Sequence, residues 1–379
     1  MKKIIILILM LCFFTLPSFT AEQYLSESQD ALPASFCWCD IEGVEYTTPI
    51  KNQAPAPTCE AYALVAAVEA LVQYEVGEPF GCDLSETHLY FYANGTVARG
   101  GVHLQDAANY LIEHGVPDEG CFPDPHRPYD PETAYVSVEG WENRTVKISE
   151  WGWVDQRTDS MKQALVDHGP LIICIVQRKD FLTYAGGIYQ PHWWQKIQSG
   201  HVVTIVGYDD DQGCWILRNS AGTEWGEEGY ARIAYTAHNP TTPFIWPFYG
   251  GSGVMYVDGV YGNFQPEVPQ VYITSPRRYH TYLYGKEFPT LLPRLSWIQH
   301  GVPRIFGSID VLVDAEPADK VEFYLDSVLQ EEDTTAPYSW VYDATLASGL
   351  HTISVKAYYN GSVSLDVLDV HSMMQDNHL

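Results

Sequence analysis

The stretch that begins at Cys59 constrains the fold most. Ala61, Leu64, Val65, Val68, Leu71 and Val72 recur at the spacing that puts apolar side chains on one face of an α-helix. Thr58 stands at the N-cap position and Gly77 stands where the chain must leave the helix. The helix therefore has a buried face, and its first residue is a cysteine. Unpaired backbone N–H groups and the positive dipole end at a helix start favour a thiolate. Taken alone, a cysteine there reads either as a small buried or disulfide-bonded residue or as a nucleophile.

The patterning then changes along the chain. Short helices are expected over residues 85–89, over Leu104, Ala107, Ala108, Leu111 and Ile112 up to Gly115, and over residues 159–168 before Gly169 and Pro170. From Leu171 the signals are strand-like: residues 171–176, 201–208, 214–217 and 230–235 run apolar. A helical half followed by a β-rich half predicts an α+β domain over residues 32–263, with a cleft between the halves.

Charge and cysteine usage narrow the function. The chain carries 21 Lys+Arg against 48 Asp+Glu, a formal charge of −27. Its field repels nucleic acid and anionic membranes, so neither is expected as a partner. Lys2 and Lys3, an apolar run over residues 4–16 and then Pro17 to Ala21 match a secretory signal peptide over residues 1–21. The run is short for a membrane span of ~20 residues. Eight cysteines suit an oxidising destination, and Cys12 would leave with the signal. An odd number then remains, so at least one thiol is free or shared between molecules.

Several motifs now carry a resemblance. Ile50-Lys51-Asn52-Gln53 precedes Cys59, Gly200-His201-Val202-Val203 follows much later, and Arg218-Asn219-Ser220 comes next, trailed by Gly222-Thr223, Trp225-Gly226 and Gly229-Tyr230. In order and content these segments resemble the papain-like (C1) cysteine peptidases. The gap from Cys59 to His201 is about 142 residues, inside the ~130–150 of that family. Leu32-Pro33 with Trp38 resembles the mature start, and Asp180-Phe181 with Gly186 to Tyr189 resembles the run-up to the histidine.

The resemblance implies a two-lobed fold, a helical lobe facing a β-barrel-like lobe, and a secreted endopeptidase acting on proteins or peptides without cofactor or metal. It implies Cys59 as nucleophile, His201 as proton shuttle, Asn219 as holder of the imidazole, and Gln53 with the Cys59 backbone N–H as oxyanion hole. Gly100 and Gly101 resemble the backbone ledge that receives extended substrate. Amide hydrolysis needs these types together, because a thiolate alone neither protonates the leaving amine nor stabilises the oxyanion.

The departures are informative. The family's usual Cys-Gly-Ser-Cys-Trp stands here as Ala56-Pro57-Thr58-Cys59-Glu60, and the tryptophan after Asn219-Ser220 is Ala221. Glu60 is expected to oppose ionisation of Cys59. Ala221 removes a shield of the Asn–His hydrogen bond, for which Trp225, ahead of Trp193 and Trp194, is the expected substitute. These two changes keep an alternative open: a catalytically weak or inactive homologue acting as a binding or adhesion protein. Cys82 and Cys121 are the first pair expected to form a disulfide, Cys174 is expected to be buried, and Cys37, Cys39 and Cys214 have no assigned partner. Only residues 22–31 separate the signal from Leu32, so no long inhibitory pro-segment is expected.

The tail reads as a separate module after a linker over residues 264–270. Residues 308–313, 320–325, 338–342, 351–358 and 364–370 are strand-like. Val321 to Asp326, Asp333 to Tyr338 and Gly349 to Ile353 resemble bacterial-type Ig-like domains, which implies an all-β sandwich over residues 271–379. Surface attachment, polymer binding and a spacer role all stay open for it.

Overall fold

The computed structural model describes residues 32–93, 101–124, 137–238, 244–247, 251–263, 269–278, 280–289, 302–345 and 348–373. The signal segment, Gly100 and most of the linker lie outside them.

Helix α1 spans Cys59–Val76 and ends on Gly77, whose φ of 84° is the left-handed turn that a glycine adopts without strain. Every residue from Ala61 to Gln73 is buried. The expected single buried face is therefore a helix buried all round: a long sheet strand packs on it, and two helices cover it elsewhere. Those helices are α2 (Glu86–Tyr92), capped by the Ser85 hydroxyl accepting from the His88 N–H, and α3 (Leu104–Glu113). Thr58 does not cap α1: its ψ of 20° leaves the hydroxyl without a capping bond. Inside this half Glu69 accepts from the Thr48 hydroxyl, the Leu84 N–H and Lys51, so its buried charge is compensated.

The second half is an eight-stranded sheet. Its strands are β1 (Ser35–Cys37), β2 (Glu150–Trp153), β3 (Leu171–Arg178), β4 (Ile188–Tyr189), β5 (Ile197–Asp209), β6 (Cys214–Arg218), β7 (Tyr230–Ala234) and β8 (Val254–Asp258). They run β2-β8-β3-β5-β6-β7-β4, with β1 also on β5. Helix α4 (Thr158–Asp167) packs on β5 and β3. The central strand β5 is buried from Val202 to Tyr208 because α1 covers it, and the Thr204 hydroxyl there donates to the Ala63 carbonyl on α1.

The tail is all β. A three-stranded sheet (Gln270–Ser275, Ser308–Glu316, Tyr338–Asp343) and a seven-stranded one enclose their own core around Val311, Phe323 and Val355. Along Ser308–Glu316 exposed and buried residues alternate strictly, the signature of a strand with one solvated face. Arg144 ties the two parts together: it pairs with Asp118 and donates to the Val363 carbonyl and the Ser364 hydroxyl.

The cysteines correct the expected pairing. Cys37 and Cys39 are bonded to each other around the buried Trp38. Cys82 and Cys121 are both free. They belong to different cores: Cys82 faces the helical half, whereas Cys121 packs with Val138 and with Leu365 and Val367 of the tail. Cys174 and Cys214 are buried free thiols.

Candidate active site

Four sequence-predicted side chains meet in one cleft. Cys59 and Gln53 reach it from the helical half, His201 and Asn219 from the sheet, and the cavity measures ≈ 750 Å³.

The sheet side is held by hydrogen bonds. His201 lies on β5 opposite Ile175 of β3. Its Nε2 is 2.9 Å from Asn219 Oδ1, so in the neutral ring Nε2 carries the proton and Nδ1 is the acceptor. Asn219 follows β6 and is held by its own N–H to the Gly229 carbonyl at 3.0 Å. It is 5% exposed, so the bond to His201 is sheltered even with Ala221 in place of a tryptophan. Trp225 lines the same cleft, its Nε1 donating to the Phe181 carbonyl and its ring set edge-on to Phe181. Trp193 and Trp194 are 75% and 60% exposed and do not line it.

The loop that carries Gln53 is stitched to the loop that carries Asn219. Asn52 forms a bridge to Ala221, and the Gln53 N–H donates to the Ser220 carbonyl at 3.0 Å. The Ser220 hydroxyl donates to Gln53 Oε1 at 2.6 Å, and Gln53 Nε2 donates to the Ala56 carbonyl at 3.0 Å. The amide therefore has a fixed face, with one N–H left to direct into the cleft. Sequence reading placed Ser220 in a motif without giving it this task. The bond joins residues 167 apart in the chain, and no local pattern announces it.

The nucleophile side is different. Cys59 starts α1 as expected, but its thiol is pushed well above the usual range. Burial is the main cause and the neighbouring Glu60 carboxylate the next; a backbone hydrogen bond from Val202 works against both. Sγ lies 3.4 Å from Glu60 Oε2. The helix start does not win here, because desolvation and a like charge outweigh the dipole. Burial also lifts Glu60 to about 7 and pushes His201 below its ordinary value, the Asn219 bond opposing that shift. Both shifts favour the neutral forms, thiol and imidazole, over the ion pair.

Gly101 borders the same corner: a methyl group built on it would fall 2.5 Å from Glu60 Oε1. Its expected partner Gly100 is outside the described residues. Val102, Leu104, Trp153, Cys174, Gln177 and Leu182 also line the cleft and were not singled out from the sequence as site residues.

Comparison with known proteins places this geometry. The papain family cysteine protease model matches residues 32–242, and a bacterial Ig domain model matches residues 304–355. The chain is 29% identical over 216 residues to the oryzain beta chain of Oryza sativa subsp. japonica, covering 56% of this chain and 44% of that one. It is 25% identical over 224 residues to cathepsin 7 of Mus musculus, covering 57% and 65%. The chain thus spans less than two thirds of either relative. Among solved structures, xylellain, a cysteine protease from Xylella fastidiosa, shares the fold with a TM-score of 0.50 at 23% identity, covering 61% of this chain and 88% of that one.

Proposed function

The chain belongs to the papain family of cysteine proteases, and on that premise we propose that it is a secreted cysteine endopeptidase that uses Cys59, His201, Asn219 and Gln53. The observation that carries this reading is the His201 Nε2–Asn219 Oδ1 bond, in a cleft that also holds Cys59 and Gln53. The bond fixes the tautomer that leaves Nδ1 free to exchange a proton with the thiol.

In this mechanism the Sγ proton passes to His201 Nδ1 and the sulfur electron pair attacks the peptide carbonyl carbon. The C–S bond forms, and the oxyanion accepts from the Gln53 amide and the Cys59 backbone N–H. Collapse breaks the C–N bond, with the imidazolium giving its proton to the departing amine. Water then attacks the thioester, its proton goes to His201, and the thiol is restored as the acid product leaves. Proton transfer within a neutral pair creates no net charge, so a buried thiol and a buried imidazole are compatible with the first step.

The purified chain should cleave peptides and Cys59→Ala should abolish that cleavage with the fold retained, because the site is at a helix start. Unchanged turnover in the variant would sink the mechanism. The charged Glu60 beside the sulfur favours a second reading, a binding homologue that hydrolyses nothing; wild-type turnover at background level would support it.

Export is proposed on the N-terminal segment, with removal after Ala21. N-terminal sequencing of exported material starting anywhere but Glu22 would correct the cleavage point. Among the described residues no helix is long and apolar enough to cross a membrane. The domain limits are proposed as 32–263 and 271–379 around a linker over 264–270. Limited proteolysis cutting mainly elsewhere would move them.

A further inference from the structure

We infer that Glu60 is a specificity-determining residue, a carboxylate in the cleft that selects a lysine or arginine side chain within the two substrate residues preceding the scissile bond. The inference rests on the peptidase reading above.

Three observations converge on it. The Glu60 carboxylate sits between the attacking sulfur and the Gly101 backbone, with Oε2 3.4 Å from Cys59 Sγ and Oε1 where a side chain on Gly101 would begin. Among the described residues lining the cleft, it is the only carboxylate, and there is no lysine or arginine to neutralise it. The cleft lining is otherwise uncharged apart from Cys59 and His201, and it mixes apolar side chains (Val102, Leu104, Trp153, Val202) with amides and hydroxyls such as Gln105 and Ser199. A methylene stem ending in a cation fits such a lining and such a charge; a neutral side chain can donate a hydrogen bond but brings no opposite charge, and an acidic one adds repulsion.

Electrostatics adds a consequence. The titratable groups around Glu60 are Cys59 on α1, Cys174 on β3, Tyr90 on α2 and His201 on β5. Cys174 and Tyr90 are each pushed up to about 12 and so stay neutral, and a thiol or phenol is never a cation; His201, the one group here that could carry a positive charge, is lowered by burial, which disfavours its charged form. A substrate cation supplies the positive charge. By offsetting the like charge that opposes thiolate formation, it also eases the first chemical step. Selection should therefore appear in kcat as well as in KM.

The test uses the full chain and two peptide pairs, with arginine or its neutral isostere citrulline at the first or second position before the scissile bond. Hydrolysis is measured at pH 6 and pH 8, for wild type and Glu60→Gln. At pH 8, where Glu60 is mostly ionised, kcat/KM in wild type should favour arginine by about tenfold or more at one of the two positions. The preference should shrink at pH 6 and vanish in Glu60→Gln. Equal rates on arginine and citrulline peptides in wild type, or a preference that survives Glu60→Gln, overturn the inference while leaving the peptidase intact. No hydrolysis of any peptide overturns both.

Discussion

The two walls of the cleft are built on opposite terms. On the sheet wall, His201, Asn219 and Ser220, with Gln53 clamped to Ser220 from the facing loop, form a chain of hydrogen bonds in which backbone or side-chain partners hold each imidazole or amide group. On the helix wall, Cys59 and Glu60 are two acidic groups side by side, both raised by burial, with one opposing the other. The sheet wall is preorganised for proton transfer and orientation; the helix wall is electrostatically unfavourable until something neutralises it. Geometry and ionisation are thus separable properties of one site, and this chain keeps the first while altering the second.

Breaking the sheet wall at its centre should cost most. His201→Ala removes the only imidazole in the cleft among the described residues, and kcat should fall by about a thousandfold or more in a steady-state peptide assay. Trp225→Ala comes next: we propose that this ring, which lines the same cleft, covers the Asn–His bond, so its removal should let water compete for both partners, for about a tenfold loss, or ~1.4 kcal/mol of barrier. Ser220→Ala frees the Gln53 amide to rotate and should lower kcat by about fivefold with KM little changed.

The smallest effect belongs to the helix wall. Glu60 at about 7 is neutral in mild acid and charged above neutrality. For an uncharged peptide, kcat/KM in wild type should therefore decline as pH rises through 7, because the growing charge opposes the thiolate. Glu60→Gln should lose that decline, gaining about threefold at pH 8 and nothing at pH 5. A shift of the acid limb instead would mean that Glu60 ionises well below 7 in solution.

That these four side chains share one cleft was legible in the sequence because they sit in short motifs in a fixed order: Gln53 with Cys59, then His201, then Asn219. The helices and main strands were legible from periodicity, apart from their ends. Other features depend on neighbours distant in sequence. The Ser220–Gln53 clamp is one of these. The strand Val328–Asp333 is another kind of miss: its side chains are almost all exposed, so it shows no alternation, and pairing with Lys320–Leu325 creates it. The Cys82–Cys121 pairing failed because spacing says nothing about which core a cysteine enters. The sign of the charge effect at Glu60 was readable, but its size was not, because burial and not the neighbour dominates the raised thiol.

The central claim is that Cys59, although burial and Glu60 disfavour its thiolate, is the group that His201 turns into a nucleophile. Treatment of the native chain with an epoxysuccinyl peptide inhibitor, followed by intact mass and peptide mapping, tests it most directly. Of the free cysteines, Cys82, Cys121, Cys174 and Cys214 are buried and Cys59 is not fully so. One adduct on Cys59 in wild type, absent in His201→Ala, is the predicted result. An adduct on another cysteine, or equal labelling of Cys59 without His201, would contradict it.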